Sequence, residues 1–252
     1  MSLLNRAFFK ISPVNYLLVF FIITLSQFAL ASSGTYPTAD RLDMYDALNL
    51  IDQEKYEDAK NILLKEEKNI TEISKLCTIY NSMLEISSAT NNNSDGAKYS
   101  ELLKKCYTEG SNPYVFLEAR VLYFKGNYDK TDRILNKLSK KISNELSEGD
   151  RTEIHDFMDK NILSSIYILK ASILLINNEP EKVKKEVIYL AEQAYAVKKL
   201  ADTNTFLAAI YHLYGDTNHS KSLIENSNDK TRQSHAFEAV LKSIKQKIDL
   251  VP

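Results

Sequence analysis

The stretch 113–140 constrains the fold of this chain more than any other, because its pattern predicts a complete helix, a turn and a second helix. The first apolar stripe repeats at helical spacing and consists of Val115, Ala119, Leu122 and Tyr123. Gly126 then favours the left-handed backbone in which helices end. The second stripe consists of Tyr128, Thr131, Leu135 and Leu138. Two short helices joined by a tight turn pack antiparallel and leave apolar surface uncovered, so this unit needs neighbouring helices.

The remainder of the chain is also predicted to be helical. Its 6 glycines and 5 prolines are few and lie between segments of apolar periodicity, and no window alternates apolar and polar residues long enough to favour a strand. Further helices are predicted at 40–52, 56–67, 73–87, 96–107, 154–176, 181–200, 202–214, 217–225 and 231–250. A polar loop is predicted at 143–152, and Ser94 or Asp95 is expected to cap the helix that begins at Gly96. The predicted fold class is all-α.

The first 31 residues differ in composition from everything that follows. Arg6 and Lys10 precede an apolar run at 16–25, and Ala29 and Ala31 supply the small residues of a signal-peptidase site. This pattern predicts a cleaved secretory signal peptide at 1–31, a polar linker at 32–38 and a folded domain at 39–252. The alternative is an uncleaved inner-membrane anchor at 14–31, although the run is shorter than the ~20 apolar residues that a membrane span needs.

A signal peptide predicts that the mature chain works outside the cytoplasm. The compartment that we expect is the bacterial periplasm, with secretion as an alternative. Glycosylation sequons at Asn69, Asn92 and Asn218 leave a eukaryotic lumenal protein open as well, although a chain rich in asparagine produces such patterns by chance.

The charge of the chain argues against nucleic acid as a partner. The formal net charge is −1, so no excess of basic residues is available for a polyanion. Lysines cluster around Lys140 and Lys184, but solvated helix faces explain both clusters. We therefore expect a protein or peptide partner, and membrane contact only through the N-terminal segment if it stays uncleaved.

Small residues recur at matching positions of successive helix pairs. In the first helix of four pairs the position holds Ala47, Ala119, Ala171 and Ala208. In the second helix the matching pattern recurs as Ala59 with Leu63, Thr131 with Leu135, Val183 with Val187 and Ser220 with Ile224. The turn residues Tyr56 and Tyr128 lie 72 positions apart, about two periods of roughly 34 residues. Small side chains at these positions would let the two helices of a pair approach closely.

Over 40–225 this pattern resembles that of tetratricopeptide-repeat proteins, whose consensus is W-x2-L-G-x2-Y in the first helix and A-x3-F in the second. The central pair matches as Val115-x2-Glu118-Ala119-x2-Leu122 followed by Thr131-x3-Leu135. The chain departs from the family in having no Trp, alanine for glycine, no closing proline and an insertion at 143–162. The resemblance implies a solenoid of antiparallel helix pairs with the helix at 231–250 as a cap. Ordinary helical hairpins are the alternative fold.

The same resemblance implies a concave groove, lined by the first helix of each pair, that holds an extended peptide or a partner helix. The implied groove residues are Phe116, Arg120 and Tyr123 from the central pair and Thr205, Ala209 and His212 from the last pair. Aromatic and arginine side chains are good binding anchors because they bury a large area and keep a polar end. The alternative is that Phe116 and Tyr123 pack against neighbouring helices.

No residue pattern in the chain predicts catalysis, a metal or a cofactor. The four histidines, His155, His212, His219 and His235, lie in separate segments, and none is three to five residues from another as in zinc-binding pairs. The sequence has no G-x-S-x-G motif, no phosphate-binding glycine loop and no H-E-x-x-H motif. His155 and Asp156 are better explained as residues at a helix start than as an acid/base pair.

The two cysteines lie on either side of the asparagine-rich turn, Cys77 14 residues before Asn91 and Cys106 14 residues after Asn92. In an antiparallel hairpin they would reach the same level, and export would expose them to an oxidising compartment. A disulfide is one possibility, and two separately buried thiols are the other, because sulfurs at one level can still point apart. A C-x-x-C motif is absent, so a catalytic thiol is not expected.

Two classes of function are consistent with the sequence. The preferred class is a non-catalytic, exported scaffold or adaptor that holds a peptide or partner helix, acting in bacterial envelope assembly or secretion. The alternative class is an accessory subunit, or a protein that binds or converts a small ligand in the inserted region 143–162.

Overall fold

The structure of the protein is a computed structural model that describes residues 40–90, 92–147, 152–199 and 201–225, together with 237, 238 and 241. Predictions for the signal peptide at 1–31 and the linker at 32–38 fall outside these residues. Nearly all of the capping helix predicted at 231–250 does so too.

Ten α-helices and one 3-10 turn make up the regular structure of the described residues, which contain no strand. The α-helices are α1 (Asp40–Asp52), α2 (Tyr56–Asn69), α3 (Ile73–Ala89), α4 (Asn93–Leu103), α5 (Asn112–Phe124), α6 (Tyr128–Ser147), α7 (Glu153–Asn177), α8 (Pro180–Val197), α9 (Ala201–Leu213) and α10 (Thr217–Glu225). The 3-10 turn, Lys104–Cys106, follows α4 directly. The all-α prediction is therefore confirmed for the described part of the chain.

Each of these helices packs against the helices that precede and follow it in the chain. In addition, α5 contacts α7, so the first helices of two successive pairs meet. The apolar side chains of the helices join in one continuous core that reaches from Ala47 in α1 to Ile210 in α9. Neighbour-to-neighbour packing of this kind lets every pair cover the apolar face that the previous pair leaves open.

The four recurring alanines lie in the interior of the protein. Ala47, Ala119, Ala171 and Ala208 all have 0% of their surface exposed. In the central pair, the Thr131 hydroxyl of α6 donates to the backbone carbonyl of Asn127 at 2.9 Å and also lies 3.4 Å from the backbone carbonyl of Ala119 in α5. A side chain of one helix can reach the backbone of the other only if the residue between them is small, so alanine at position 119 permits this contact.

Two local expectations were wrong. The loop predicted at 143–152 begins later, because α6 continues to Ser147. Its stripe extends through Ile142, which is fully buried, to the partly buried Leu146, and this burial outweighs the polar composition of the segment. The cap of α4 is neither Ser94 nor Asp95 but Asn92, whose side-chain oxygen accepts from the backbone N–H of Asp95 at 3.0 Å.

Gly96 permits a close approach between α4 and α5. A Cβ at this position would lie 2.6–2.8 Å from three carbons of the Phe124 ring. Since Gly96 lies within a helix, where glycine costs about 1 kcal/mol relative to alanine, a packing reason for it is expected, and the ring of Phe124 provides one.

We expect Gly96→Ala to lower the free energy of unfolding by about 1 to 2 kcal/mol, because the clash outweighs the gain in helix propensity. Chemical denaturation of the variant and of Gly96→Ala combined with Phe124→Leu would measure this. The second substitution trims the ring that blocks the methyl group and should recover part of the loss. A Gly96→Ala variant more stable than the parent would mean that the two helices do not pack this closely.

Candidate functional site

The central residues predicted for a groove come together on one face of α5, and the structure places them in the interior. Phe116 is 4% exposed, Arg120 2% and Tyr123 1%. Helical spacing brings 116, 120 and 123 to the same side, and Phe124 lies beside them. We call these four residues the Arg120 cluster.

The guanidinium of Arg120 lies near an aromatic ring. Its Cζ atom lies 5.8 Å from the centroid of the Phe124 ring, within the range of a cation–π contact. The Tyr123 ring meets the Phe124 ring edge-on at 5.8 Å and the Tyr128 ring of α6 at 5.5 Å. The charge of Arg120 is therefore held in a largely apolar environment.

The polar atoms of the Arg120 cluster have unused hydrogen-bonding capacity. Nε and Nη2 of Arg120 and the hydroxyl of Tyr123 are buried and have no hydrogen-bond partner. Burial lowers the pKa of Arg120 to about 10, against a smaller opposing effect of Tyr123. Burial also raises the pKa of Tyr123 far above its ordinary value, and Tyr128 adds to the rise. At neutral pH the cluster therefore presents N–H and O–H donors that lack an acceptor.

The groove residues predicted in the last pair are also covered. Thr205 and Ala209 of α9 are 0% exposed. His212 is half-buried, and its ring meets the ring of Phe237 edge-on at 5.5 Å. The six predicted residues thus present little surface in this conformation, and their role in holding a partner stays a prediction.

A second polar cluster, not foreseen from the sequence, joins three helices at the inserted region. The side-chain amide of Asn112, at the start of α5, donates to Glu145 Oε2 of α6 and to Asp159 Oδ1 of α7, both at 2.9 Å. Asp159 is 4% exposed and Asn112 8%. Sequence periodicity could not find this cluster, because its members are 33 and 47 residues apart and an asparagine before a proline ordinarily indicates only a helix start.

Asn161, two residues beyond Asp159, is buried with both side-chain polar atoms unpartnered, as is Oδ1 of Asn112. The cluster is thus incompletely satisfied by the protein's own groups, which is unusual for buried amides. No group of three or more His, Cys, Asp or Glu side chains placed to hold a metal ion exists among the described residues. The chemistry of the cluster fits hydrogen bonding to water or to a small polar ligand.

Cys77 of α3 and Cys106 of the 3-10 turn are joined by a disulfide, with their Cα atoms 5.9 Å apart. The bond ties the start of α3 to the end of the segment that follows α4, so it fixes the second helix pair at its open end. Both thiols are used in this bond, which leaves no free cysteine among the described residues.

Another group of side chains, contributed by α8, α9, α10 and the turn before α10, has the composition of an acid/base site. His219 Nδ1 lies 2.6 Å from Asp216 Oδ2, and the Tyr211 hydroxyl donates to Glu192 Oε1 at 2.8 Å. The backbone N–H of His219 also donates to Asp216 Oδ1 at 3.2 Å. Asp216 directly precedes α10, so this geometry is that of a helix cap, and the group is exposed.

This helix cap should make the stability of the protein depend on pH, and the ionisation of Asp216 sets the direction of that dependence. The side-chain hydrogen bond with His219 and then its backbone N–H lower the pKa of Asp216 below 3.8. The stabilisation is therefore complete above the unfolded pKa of about 3.8 and is lost as the pH falls through the lower folded value. We expect Asp216→Asn to lower the melting temperature at pH 7 and the difference to shrink below pH 3.8, as measured by thermal melts across pH. A difference that stays constant down to pH 2 would contradict the ionic cap.

A surface depression of about 560 Å³ lies at the turn between α5 and α6, next to the end of α7. It is lined by Lys125, Gly126, Asn127, Tyr128, Asp129 and Asn177.

None of the helices that the structure describes is both long enough and apolar enough to cross a bilayer.

Comparison with protein-family models, with curated proteins and with solved structures finds no match to this chain. The fold class therefore rests on the helices themselves, and the function has to be argued from the chain's own residues.

Proposed function

We propose that this chain is a non-catalytic, exported scaffold of the tetratricopeptide type that holds a peptide or a partner helix. The observation that carries the proposal is the sequential packing of helix pairs around recurring alanines with no exposed surface. A row of pairs has no closed central core, and such rows present an extended surface that proteins commonly use for binding.

The pairing of first helices supports a repeat arrangement over ordinary hairpins. In a solenoid, the first helix of one pair contacts the first helix of the next, and α5 contacts α7 in this way. Most second-helix positions of the repeat are also buried: Ala59, Thr131 and Val187 are 0% exposed and Ser220 is 2% exposed, whereas Val183 and Ile224 are half-buried. The described residues of the insertion at 143–162 extend the end of α6 and the beginning of α7, at the junction of two successive pairs, where a solenoid accepts extra residues.

The disulfide supports the exported location. Disulfides persist in oxidising compartments such as the bacterial periplasm and are rare in the cytosol. Cys77 and Cys106 are the chain's only cysteines, and they are bonded to each other. This agrees with the signal peptide proposed at 1–31 and with a role in envelope assembly or secretion.

The test is to express the whole chain with an affinity tag, recover it from the cell envelope and identify what copurifies. The scaffold predicts one protein in a fixed molar ratio that rebinds when both components are purified, with chemical cross-links to α5, α7 and α9, the first helices of their pairs. Cross-links spread evenly over first and second helices would contradict a groove, and failure to rebind would contradict the scaffold.

The alternative function, an accessory protein with a small ligand at 143–162, is favoured by one observation, the unpartnered side-chain amide of Asn161, which is buried on α7 within this region. A polar ligand could supply the missing hydrogen bonds. Native mass spectrometry of the freshly purified protein tests it: a monomer that carries a stoichiometric small molecule, and loses it in Asn161→Leu, would favour this function over the scaffold.

A further inference from the structure

We propose that the guanidinium of Arg120 is the receptor for a single carboxylate of the partner, so that the partner is recognised by an acidic group. The inference rests on the proposed scaffold function and names the chemistry that its binding surface selects. It starts from Nε and Nη2 of Arg120, which are buried and have no hydrogen-bond partner. Because the side chain is only 2% exposed, the acid reaches these atoms only when the helices that cover this face of α5 move apart.

The two unpartnered nitrogens lie on the same edge of the guanidinium. Their N–H bonds point side by side, at the spacing of the two oxygens of a carboxylate, and this edge forms the bidentate pair by which arginine recognises carboxylates. The Tyr123 hydroxyl, three residues along the same helix face, is a third donor without an acceptor. Three hydrogen-bond donors on one face of α5 therefore have no acceptor.

Charge balance favours a carboxylate over a phosphate. Arg120 is the only cation of the Arg120 cluster, whose other members are Phe116, Tyr123 and Phe124. One carboxylate cancels its charge, whereas a phosphate dianion would leave a net negative charge among aromatic rings, which is costly in a site of low dielectric. The Phe124 ring, 5.8 Å from Cζ, can retain its cation–π contact while the edge binds the acid, because the face and the edge of a guanidinium are separate.

An unpaired buried charge destabilises a fold, so the presence of Arg120 is better explained by a role in binding than by a role in stability. An apolar side chain of similar length would fill the same volume without desolvating a charge, so Arg120 weakens the fold of the free protein. Residues of this kind are found where binding needs them. Because Arg120 is buried, an ion pair formed there is stronger than one in water.

The first experiment follows the Arg120 Nε–Hε signal by NMR in the whole chain, labelled with ¹⁵N-arginine, while sodium acetate is added against sodium chloride at equal ionic strength. We expect acetate, and not chloride, to shift this signal downfield with saturation and to raise the melting temperature. Arg120→Lys removes the bidentate edge and should abolish the rise, whereas Arg133→Lys, at an exposed position of α6, should keep it. No saturable shift, or an equal rise in Arg120→Lys, would overturn the proposal.

Arg120→Met keeps the proposal testable if the lysine variant folds poorly. We expect a melting temperature equal to or above that of the parent, since the buried charge is gone, together with no response to acetate. A clearly lower melting temperature would show that Arg120 is already paired within the protein, which would overturn the assignment.

Two neutral-sequence peptides then identify the source of the acid. One has a free C-terminus and no acidic side chain, and the other has a single glutamate and an amidated C-terminus. A shift of the Arg120 signal by either peptide supports the proposal and says whether a terminal or a side-chain carboxylate binds. A response to acetate with neither peptide active would mean an adventitious ion only and would overturn it.

Failure of this inference and failure of the scaffold can be told apart by the copurification experiment. If Arg120→Met still captures the partner in full, the scaffold stands and the receptor role of Arg120 falls. If the parent captures no partner while acetate and a peptide still act on Arg120, the carboxylate site stands and the scaffold function falls.

Discussion

Replacing both Cys77 and Cys106 with alanine should lower the free energy of unfolding by about 3.5 kcal/mol. The disulfide closes a loop between residues separated by 29 positions, and the loss of chain entropy that this closure imposes on the unfolded state gives an effect of that size. For a domain of this length such a change is a large part of the total stability, so we expect a marked fall in the melting temperature.

Denaturation in guanidinium, with and without dithiothreitol, measures the effect. The parent protein under reductant should match the double alanine variant, and reductant should leave the variant unchanged. That comparison separates the loss of the cross-link from the loss of the sulfur atoms, which are only half-buried. A parent protein whose stability does not respond to complete reduction would contradict a stabilising bond.

The consequence should be local as well as global. The bond holds the start of α3 to the 3-10 turn, and α4 and α5 both contact that turn. Without it, α4 is held to α3 and α5 by packing alone. Hydrogen exchange should therefore accelerate in α3 and α4 more than in α9 and α10, which pack against each other, with α9 also against α8.

Sequence patterns predicted the helices well because helical periodicity and turn residues are local signals. The stripe of Thr131, Leu135 and Leu138 and the turn at Gly126, which has a positive φ of 74°, both follow from a few adjacent residues. The end of α6 was missed because its last turn is polar in composition and is stabilised by Ile142 and Leu146, whose contacts are tertiary.

The chemistry of the candidate site was harder to predict, since it depends on contacts between distant residues. The position of Arg120 on α5 could be predicted, but not that its Nε and Nη2 atoms would be buried without acceptors. The hydrogen bonds from Asn112 to Glu145 and Asp159 could not be predicted either, because nothing in the sequence indicates which helix ends lie next to each other. Helical periodicity fixes which face a residue occupies, and only the packing of neighbours decides whether that face is covered.

The recurring alanines make the strongest prediction about architecture, because the proposed row of helix pairs depends on close helix contacts. Ala119→Leu should lower the free energy of unfolding by about 3 kcal/mol, since the larger side chain has no space at a position with 0% exposure. The Thr131 hydroxyl, now 3.4 Å from the Ala119 carbonyl, would be pushed away as α6 moves out. Thermal and chemical denaturation measure the loss.

Ala196→Leu is the matched control, because Ala196 lies on an exposed face of α8 and the same chemical change there meets solvent. It should alter stability by less than about 0.5 kcal/mol. Ala171→Leu should behave like Ala119→Leu, as both residues occupy the equivalent position in their pairs and are fully buried. If Ala119→Leu and Ala171→Leu were tolerated as well as Ala196→Leu, helices α5 and α7 could not be packed closely against their partners, and the repeat arrangement that supports a binding scaffold would lose its physical basis.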